Sequence, residues 1–313
     1  MNSIDRVAVC SRSFSNNPVL RSELLKRFSN VTFNDAGLQL KCDSLVNFLQ
    51  GHDLAITALE VIDDYVLSRL PKLRAIGKYG VGLDMIDMNA MRKHGKLLGW
   101  TRGVNRRSVS ELTISFAITM LRGVVSANRE VINGSWRQHV GGQLSGRTVG
   151  IIGCGSVGQD LVQLLKPFDC RILANDIISY DQFYTEHHIE AVTLDVLLKE
   201  SDIVTLHVPL DSTTSGIIGV KQLSLMKTSA FLINIARGGL VDEVALKQAL
   251  INQTIAGAAF DVFSDEPPQD QELLALPNFL ATPHIGGSAE EAILAMGLAA
   301  IDGLDTAVIP ASL

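Results

Sequence analysis

Short apolar runs alternate with amphipathic stretches along most of the chain, a rhythm that argues for βα units around parallel sheets. RVAVC from Arg6, DLAITAL from Asp53 and LRAIGKYG from Leu73 read as strands, and residues 18–28 and 42–50 between them as helices. From Arg147 the rhythm becomes more regular. RTVGIIG, CRILAND, SDIVTLHVPL, AFLINIA and IAGAAFDVF are strand candidates separated by helical segments, which predicts a second, doubly wound domain. Between the two lies a stretch, residues 108–131, that is apolar on several faces and has Glu111 three positions after Ser108, the spacing of a capping box. It predicts one buried helix, placed at a domain junction, at a subunit interface or inside one domain. Residues 289–304, rich in Ala and Leu, predict a last helix that packs back on the first domain.

Composition narrows the partners. The 313 residues exceed the ~100–200 of a typical domain, so two domains are expected. A hydrophobic content of 47% against 19% charged residues supplies a sizeable core. The net charge of −6, without long runs of either sign, offers no basic footprint for nucleic acid or anionic lipid. No stretch approaches the ~20 uninterrupted apolar residues of a membrane span, and the start MNSIDRVAVCSRSF does not read as a signal peptide. Cys10, Cys42, Cys154 and Cys170 are scattered, without C-x-x-C or a His at ligand spacing. Neither a metal site nor a disulfide framework is expected, and the thiols fit buried positions in a reducing cytoplasm.

The strongest local motif is GCGSVG, Gly153 to Gly158, directly after the strand-like run to Ile152 and before a helical pattern. Gly153 suits the tight turn, Gly155 the close approach of backbone to a pyrophosphate, and Gly158 the packing of helix on strand. The helix start then offers unpaired N–H groups to the phosphates. Asp176 ends the next strand, about 20 residues on, where a carboxylate accepts from ribose hydroxyls and repels a 2′-phosphate. These features point to NAD rather than NADP.

Three further motifs, NIARGG, DVFSDEPP and TPHIGG, each sit at the end of a predicted strand, where open α/β sheets bind ligands. Arg237 can grip a carboxylate and an adjacent carbonyl oxygen with its planar guanidinium, or form a surface ion pair. Glu266 and His284 lie on Pro-flanked turns. A carboxylate bonded to an imidazole favours the protonated ring and suits the pair to proton transfer. Taken singly, a Glu in a turn and a His after a Pro are more often structural than catalytic.

The order GCGSVG, HVPL from His207, NIARGG, GAAFDVFSDEP and TPHIGG resembles the D-isomer-specific 2-hydroxyacid dehydrogenase family over most of the chain. The resemblance implies an α/β fold with a Rossmann-type doubly wound parallel sheet, residues 104–284, inserted into a smaller flavodoxin-like substrate domain, residues 1–103 plus 285–313. It implies Arg237, Glu266 and His284 as catalytic residues. Ser156, Val157, His207, Pro209, Ala236 and Asp261 join Gly153, Gly155, Gly158 and Asp176 at the NAD site, with Asp261 seating the nicotinamide. A homodimer through the 108–131 helix region is also implied.

Within that family KYGVGLDMID is similar to the substrate loop of 3-phosphoglycerate dehydrogenases, so that the N–H groups of Val81 and Gly82 would hold the substrate carboxylate. Lys78 then stands where a cation meets a substrate phosphate, or it is a solvated surface lysine. Three features depart from that subgroup. No C-terminal regulatory domain follows, Arg102 replaces the family's Pro in TRGVN, and Met85 replaces its Asn after Asp84. Glyoxylate or hydroxypyruvate reduction is the alternative within the family. Outside it stands an NAD(H)-sensing corepressor resembling the C-terminal binding proteins.

Overall fold

The computed structural model describes residues 3–311. They form two compact units, one running up to Asn105 and resuming at Ala289, the other Arg106–Ser288.

The first unit is built on five parallel strands, β1 (Ser3–Val9), β2 (Phe28–Phe33), β3 (Leu54–Thr57), β4 (Ala75–Lys78) and β5 (Leu97–Gly99), in the order β2-β1-β3-β4-β5. This is the flavodoxin-like order, whose direction reverses between β1 and β3. Its inner strands are continuously apolar because both faces are covered. Ala8, Ala55 and Ile76 face one core, and Val7, Val9 and Ile56 face another that includes Ala300, Ile301 and Leu304 of the helix Glu290–Thr306. That helix lies against β3, β4 and β5 as the pattern predicts. The approach is backbone to backbone. A Cβ on Gly99 would stand 2.0 Å from the Gly303 carbonyl oxygen, and one on Gly77 would stand 2.3 Å from that of Ala300.

The second unit carries seven parallel strands, β6 (Thr148–Ile152), β7 (Arg171–Asn175), β8 (Glu190–Ala191), β9 (Ile203–Leu206), β10 (Phe231–Asn234), β11 (Gly257–Phe260) and β12 (Phe279–Ala281). Their order, β12-β11-β10-β9-β6-β7-β8, is doubly wound and reverses between β6 and β9. The loops after β6, β7 and β9 therefore gather at the reversal, and those after β10, β11 and β12 line up beside it.

The expectation of one helix over residues 108–131 is corrected. The helix Arg106–Arg122 ends at Gly123, whose φ of 58° is left-handed, and a second helix, Val124–Ile132, leaves at 61° to it. The first buries Val109, Thr113, Phe116 and Ala117, whereas the second buries nothing. The capping box is also absent, because the helix begins ahead of Ser108 and the Ser108 hydroxyl donates instead to the Gly286 carbonyl at 2.6 Å. Cys10 and Cys154 are buried but Cys42 is exposed, and none of the four is paired. Among the described residues no single helix is long and apolar enough to cross a membrane.

Candidate active site

Glu266 and His284 are 18 positions apart in sequence, yet their strands β11 and β12 are neighbours and the loops that follow them meet. His284 Nδ1 lies 2.9 Å from Glu266 Oε2 and 3.1 Å from Oε1. The Phe263 N–H donates to Glu266 Oε1 at 3.1 Å and fixes the carboxylate. With Nδ1 facing the carboxylate, Nε2 is the nitrogen left to exchange a proton with a ligand. Both side chains are about half exposed, so a ligand can reach them.

His284 has φ 55°, a left-handed backbone that a non-glycine residue adopts only when its surroundings enforce it. Asp261, the residue after β11, supplies the enforcement. Its backbone carbonyl accepts from the His284 N–H at 2.9 Å. Its buried carboxylate accepts from the Thr282 hydroxyl at 2.5 Å, the Ile285 N–H at 2.7 Å and the Gly286 N–H at 2.7 Å. The histidine loop is thus wrapped around one anion, a contact that the sequence reading did not foresee. A Cβ on Gly286 would stand 2.8 Å from the Ile235 side chain and 3.0 Å from Asp261 Oδ2, so the turn closes only with glycine there.

Arg237 follows β10, and Asn234 shapes its turn. The buried Asn234 amide donates to the Arg237 carbonyl at 2.8 Å and its oxygen accepts from the Ala236 N–H at 3.2 Å. Arg237 Nη1 donates to the Ala236 carbonyl at 2.7 Å, a bond along its own loop that steers the guanidinium. A Cβ on Gly238 would stand 1.9 Å from the Phe263 carbonyl, so the arginine loop rests on the loop that carries Glu266. Asn234 was legible only as the first letter of NIARGG.

At the sheet's reversal, Gly153 has φ 93°, and a Cβ there would stand 2.7 Å from the backbone of His207. A Cβ on Gly158 would stand 2.4 Å from the Gly153 carbonyl. The helix Ser156–Leu165 starts at Gly155 without a side-chain cap, which leaves its first N–H groups open to an anion. Asp176 accepts from the Cys154 N–H at 2.6 Å and the Ile178 N–H at 2.9 Å, so its carboxylate is fixed after β7 beside a fully exposed Ile177. His207 Nε2 lies 3.0 Å from the Thr205 hydroxyl, and desolvation pushes its pKa down to about 4, which keeps the ring neutral. The Pro209 carbonyl accepts from the Thr214 hydroxyl at 2.7 Å. Burial pushes the Cys154 thiol up to about 11, with Asp176 adding to the rise, so this cysteine stays protonated.

In the first unit, Lys78 is 5% exposed, which removes the reading of a solvated surface lysine. It ends β4 beside Thr57 of β3, and its Nζ donates to the Ala58 carbonyl. The Ala58 N–H in turn donates to Glu60 Oε2 at 2.7 Å, so two charged side chains grip one turn. After β4 comes the loop with Gly80 at φ 129°, and the Trp100 indole donates to the Val81 carbonyl at 2.9 Å.

Residues 114–286, more than half of the chain, match the family model described as D-isomer specific 2-hydroxyacid dehydrogenase, NAD binding domain. The chain belongs to this dehydrogenase family. It is 39% identical over 240 residues to the D-3-phosphoglycerate dehydrogenase of Methanocaldococcus jannaschii, covering 74% of this chain and 45% of that one. It is 38% identical over 257 residues to the glyoxylate reductase of Korarchaeum cryptofilum, covering 80% and 75%. The chain therefore spans about half the length of the phosphoglycerate dehydrogenases it matches. The solved D-isomer specific 2-hydroxyacid dehydrogenase of Lactobacillus delbrueckii ssp. bulgaricus, in its NAD-complexed form, superposes with a TM-score of 0.77 at 26% identity, over 96% of each chain.

The family's cofactor is NAD, and the second unit fits it. Gly153 and Gly158 let strand, loop and helix close on one another where a Cβ would strike backbone, an uncapped helix start suits the pyrophosphate, and a fixed carboxylate follows β7 with no cation among Ile177, Ile178 and Ser179.

Proposed function

We propose that the chain interconverts a small D-2-hydroxyacid and its 2-oxoacid. When bound, NADH supplies the hydride for the carbonyl carbon. His284 gives a proton from Nε2 to the carbonyl oxygen, and in the reverse direction Nε2 takes it back. Glu266 stabilises the imidazolium and fixes the ring so that Nε2 faces the substrate. Arg237 holds carboxylate and carbonyl oxygens in the plane of its guanidinium, and the N–H groups of Val81 and Gly82 hold the carboxylate. The observation that carries this reading is the 2.9 Å bond between His284 Nδ1 and Glu266.

The relatives divide between phosphorylated and unphosphorylated acids, and Lys78 favours the second class. A buried ammonium already engaged by the Ala58 carbonyl is poorly placed to neutralise a phosphate. The expected result of an NADH assay is turnover of hydroxypyruvate or glyoxylate, with kcat/KM above that for phosphohydroxypyruvate by roughly tenfold or more, the worth of one charged hydrogen bond. Preference for the phosphorylated acid would reverse the substrate assignment. Failure with hydroxypyruvate, glyoxylate, pyruvate and phosphohydroxypyruvate alike would remove the dehydrogenase reading.

We also propose a homodimer, with its contact moved from the buried helix Arg106–Arg122 to the segment after Gly123. There Val124, Val131, Ile132, Trp136 and Val140 stand exposed in one short stretch, Trp136 at 86% and Val140 at 103%. Apolar residues concentrated in this way are costly in water unless a partner covers them. Sedimentation should give twice the chain mass for the wild type and the single chain mass for an Ile132→Glu, Trp136→Glu double variant. A wild-type monomer would end the proposal.

A further inference from the structure

We infer that Trp100 is a positioning residue for substrate, acting through the peptide between Val81 and Gly82. The inference rests on the dehydrogenase reading and adds to it a residue that no motif marks. The loop after β4 is anchored at both ends. Tyr79 N–H donates to the Thr57 carbonyl at 2.8 Å, and beyond the loop Ile62 and Ile86 form a bridge, with the Ile62 N–H on the Met85 carbonyl at 2.8 Å. Between these anchors stand Gly80 and Gly82, and glycine leaves a backbone more conformations than any other residue.

The Trp100 indole N–H reaches into this span and donates to the Val81 carbonyl at 2.9 Å. The one cis peptide among the described residues is Glu266–Pro267, so the Val81–Gly82 peptide is trans. In a trans peptide the C=O and N–H point in opposite directions. Fixing the carbonyl on the indole therefore directs the Gly82 N–H away from Trp100, as a donor with a set orientation. Trp100 is itself well placed to hold that orientation. It follows β5 directly, where Gly99 meets Gly303 backbone to backbone, and it packs against the core that contains Leu98 and Ile86.

The consequence is energetic. An acid that binds the Gly82 N–H meets a peptide already oriented, and its affinity is not reduced by the ordering of a glycine loop. Because the carboxylate does not react, this contact holds substrate and transition state equally, so its loss raises KM and leaves kcat nearly unchanged.

The experiment is steady-state kinetics of Trp100→Phe, which keeps a packed ring and removes the N–H. The expected result is a KM for the 2-oxoacid about 5- to 10-fold higher, with kcat within about twofold of wild type and the KM for NADH unchanged. Replacement of tryptophan by β-(benzothien-3-yl)alanine, which puts sulfur in place of the indole N–H at nearly the same volume, should give the same KM rise and covers the case in which the phenylalanine variant does not fold. An unchanged oxoacid KM in the benzothienyl protein, or in a folded Trp100→Phe, overturns the role. So does an equal fall of kcat and kcat/KM. A wild-type protein with no oxoacid turnover overturns the dehydrogenase reading and this role with it, whereas turnover with an unshifted KM overturns this role alone.

Discussion

Replacing His284 by alanine is expected to lower kcat by a factor of about 10² or more while leaving NADH affinity nearly unchanged. In the proposed reaction the imidazole exchanges the proton, whereas the glycine loop, the helix Ser156–Leu165 and Asp176 lie elsewhere in the second unit. One complication is the backbone. At φ 55° alanine pays a left-handed penalty of about 1 kcal/mol, which asparagine largely avoids. His284→Asn is therefore the cleaner companion. Both variants should lose the same turnover, and the alanine protein should be the less stable by urea denaturation. Fluorescence titration with NADH completes the comparison. Turnover close to wild type in either variant would remove His284 from the mechanism.

The second large effect is expected at Asp261, whose carboxylate holds three donors of the histidine loop. Asp261→Asn keeps the shape but turns one of the two oxygens into an NH2 group. Whichever way the amide faces, it sets a donor against the Ile285 N–H or the Gly286 N–H, and one buried N–H loses its acceptor. The expected loss of stability is about 1–3 kcal/mol. A displacement of the imidazole by even a fraction of an ångström should also lower kcat, by between about 10- and 10²-fold. Urea midpoints, kcat and the Kd for NADH separate the two roles open to this residue. A loop-holding role lowers stability and kcat together, whereas a seat for the nicotinamide raises the Kd for NADH. Thr282→Val, which removes one of the three donors, should have the smaller effect of the two substitutions.

Much of the fold was legible because buried parallel strands are continuous apolar runs, as in β1, β3, β4, β6 and β9. The strands that escaped notice lack that signature for physical reasons. β2, FSNVTF, is an edge strand and largely exposed, β8 is Glu190–Ala191 alone, and β5 has three residues. The break at Gly123 was hidden inside a long apolar stretch, because a single glycine is tolerated in many helices.

At the site, motif order marked Arg237, Glu266 and His284, but no spacing in the chain states that β11 and β12 are adjacent, and their adjacency brings the pair together. Asp261 shows the limit most sharply. An acid after a strand is compatible with many roles, and its grip on the histidine loop exists only through backbone N–H groups, which carry no residue identity. The burial of Lys78 was equally hidden, since its long side chain reaches across to the Ala58 carbonyl just past the end of the neighbouring strand β3.

The backbone contact of Gly99 and Gly77 with the helix Glu290–Thr306 has a consequence for how the protein is made. During synthesis the first 105 residues leave the ribosome long before the segment that covers one face of their sheet. Until Ala300, Ile301 and Leu304 arrive, the core that Val7, Val9 and Ile56 share with Phe14, Leu20 and Leu24 lacks part of its cover. The middle unit, contiguous in sequence, can complete its own core in the interval. The unit begun before the other is thus finished after it, and the growing chain carries a partly covered apolar sheet face through that interval, a natural station for a chaperone.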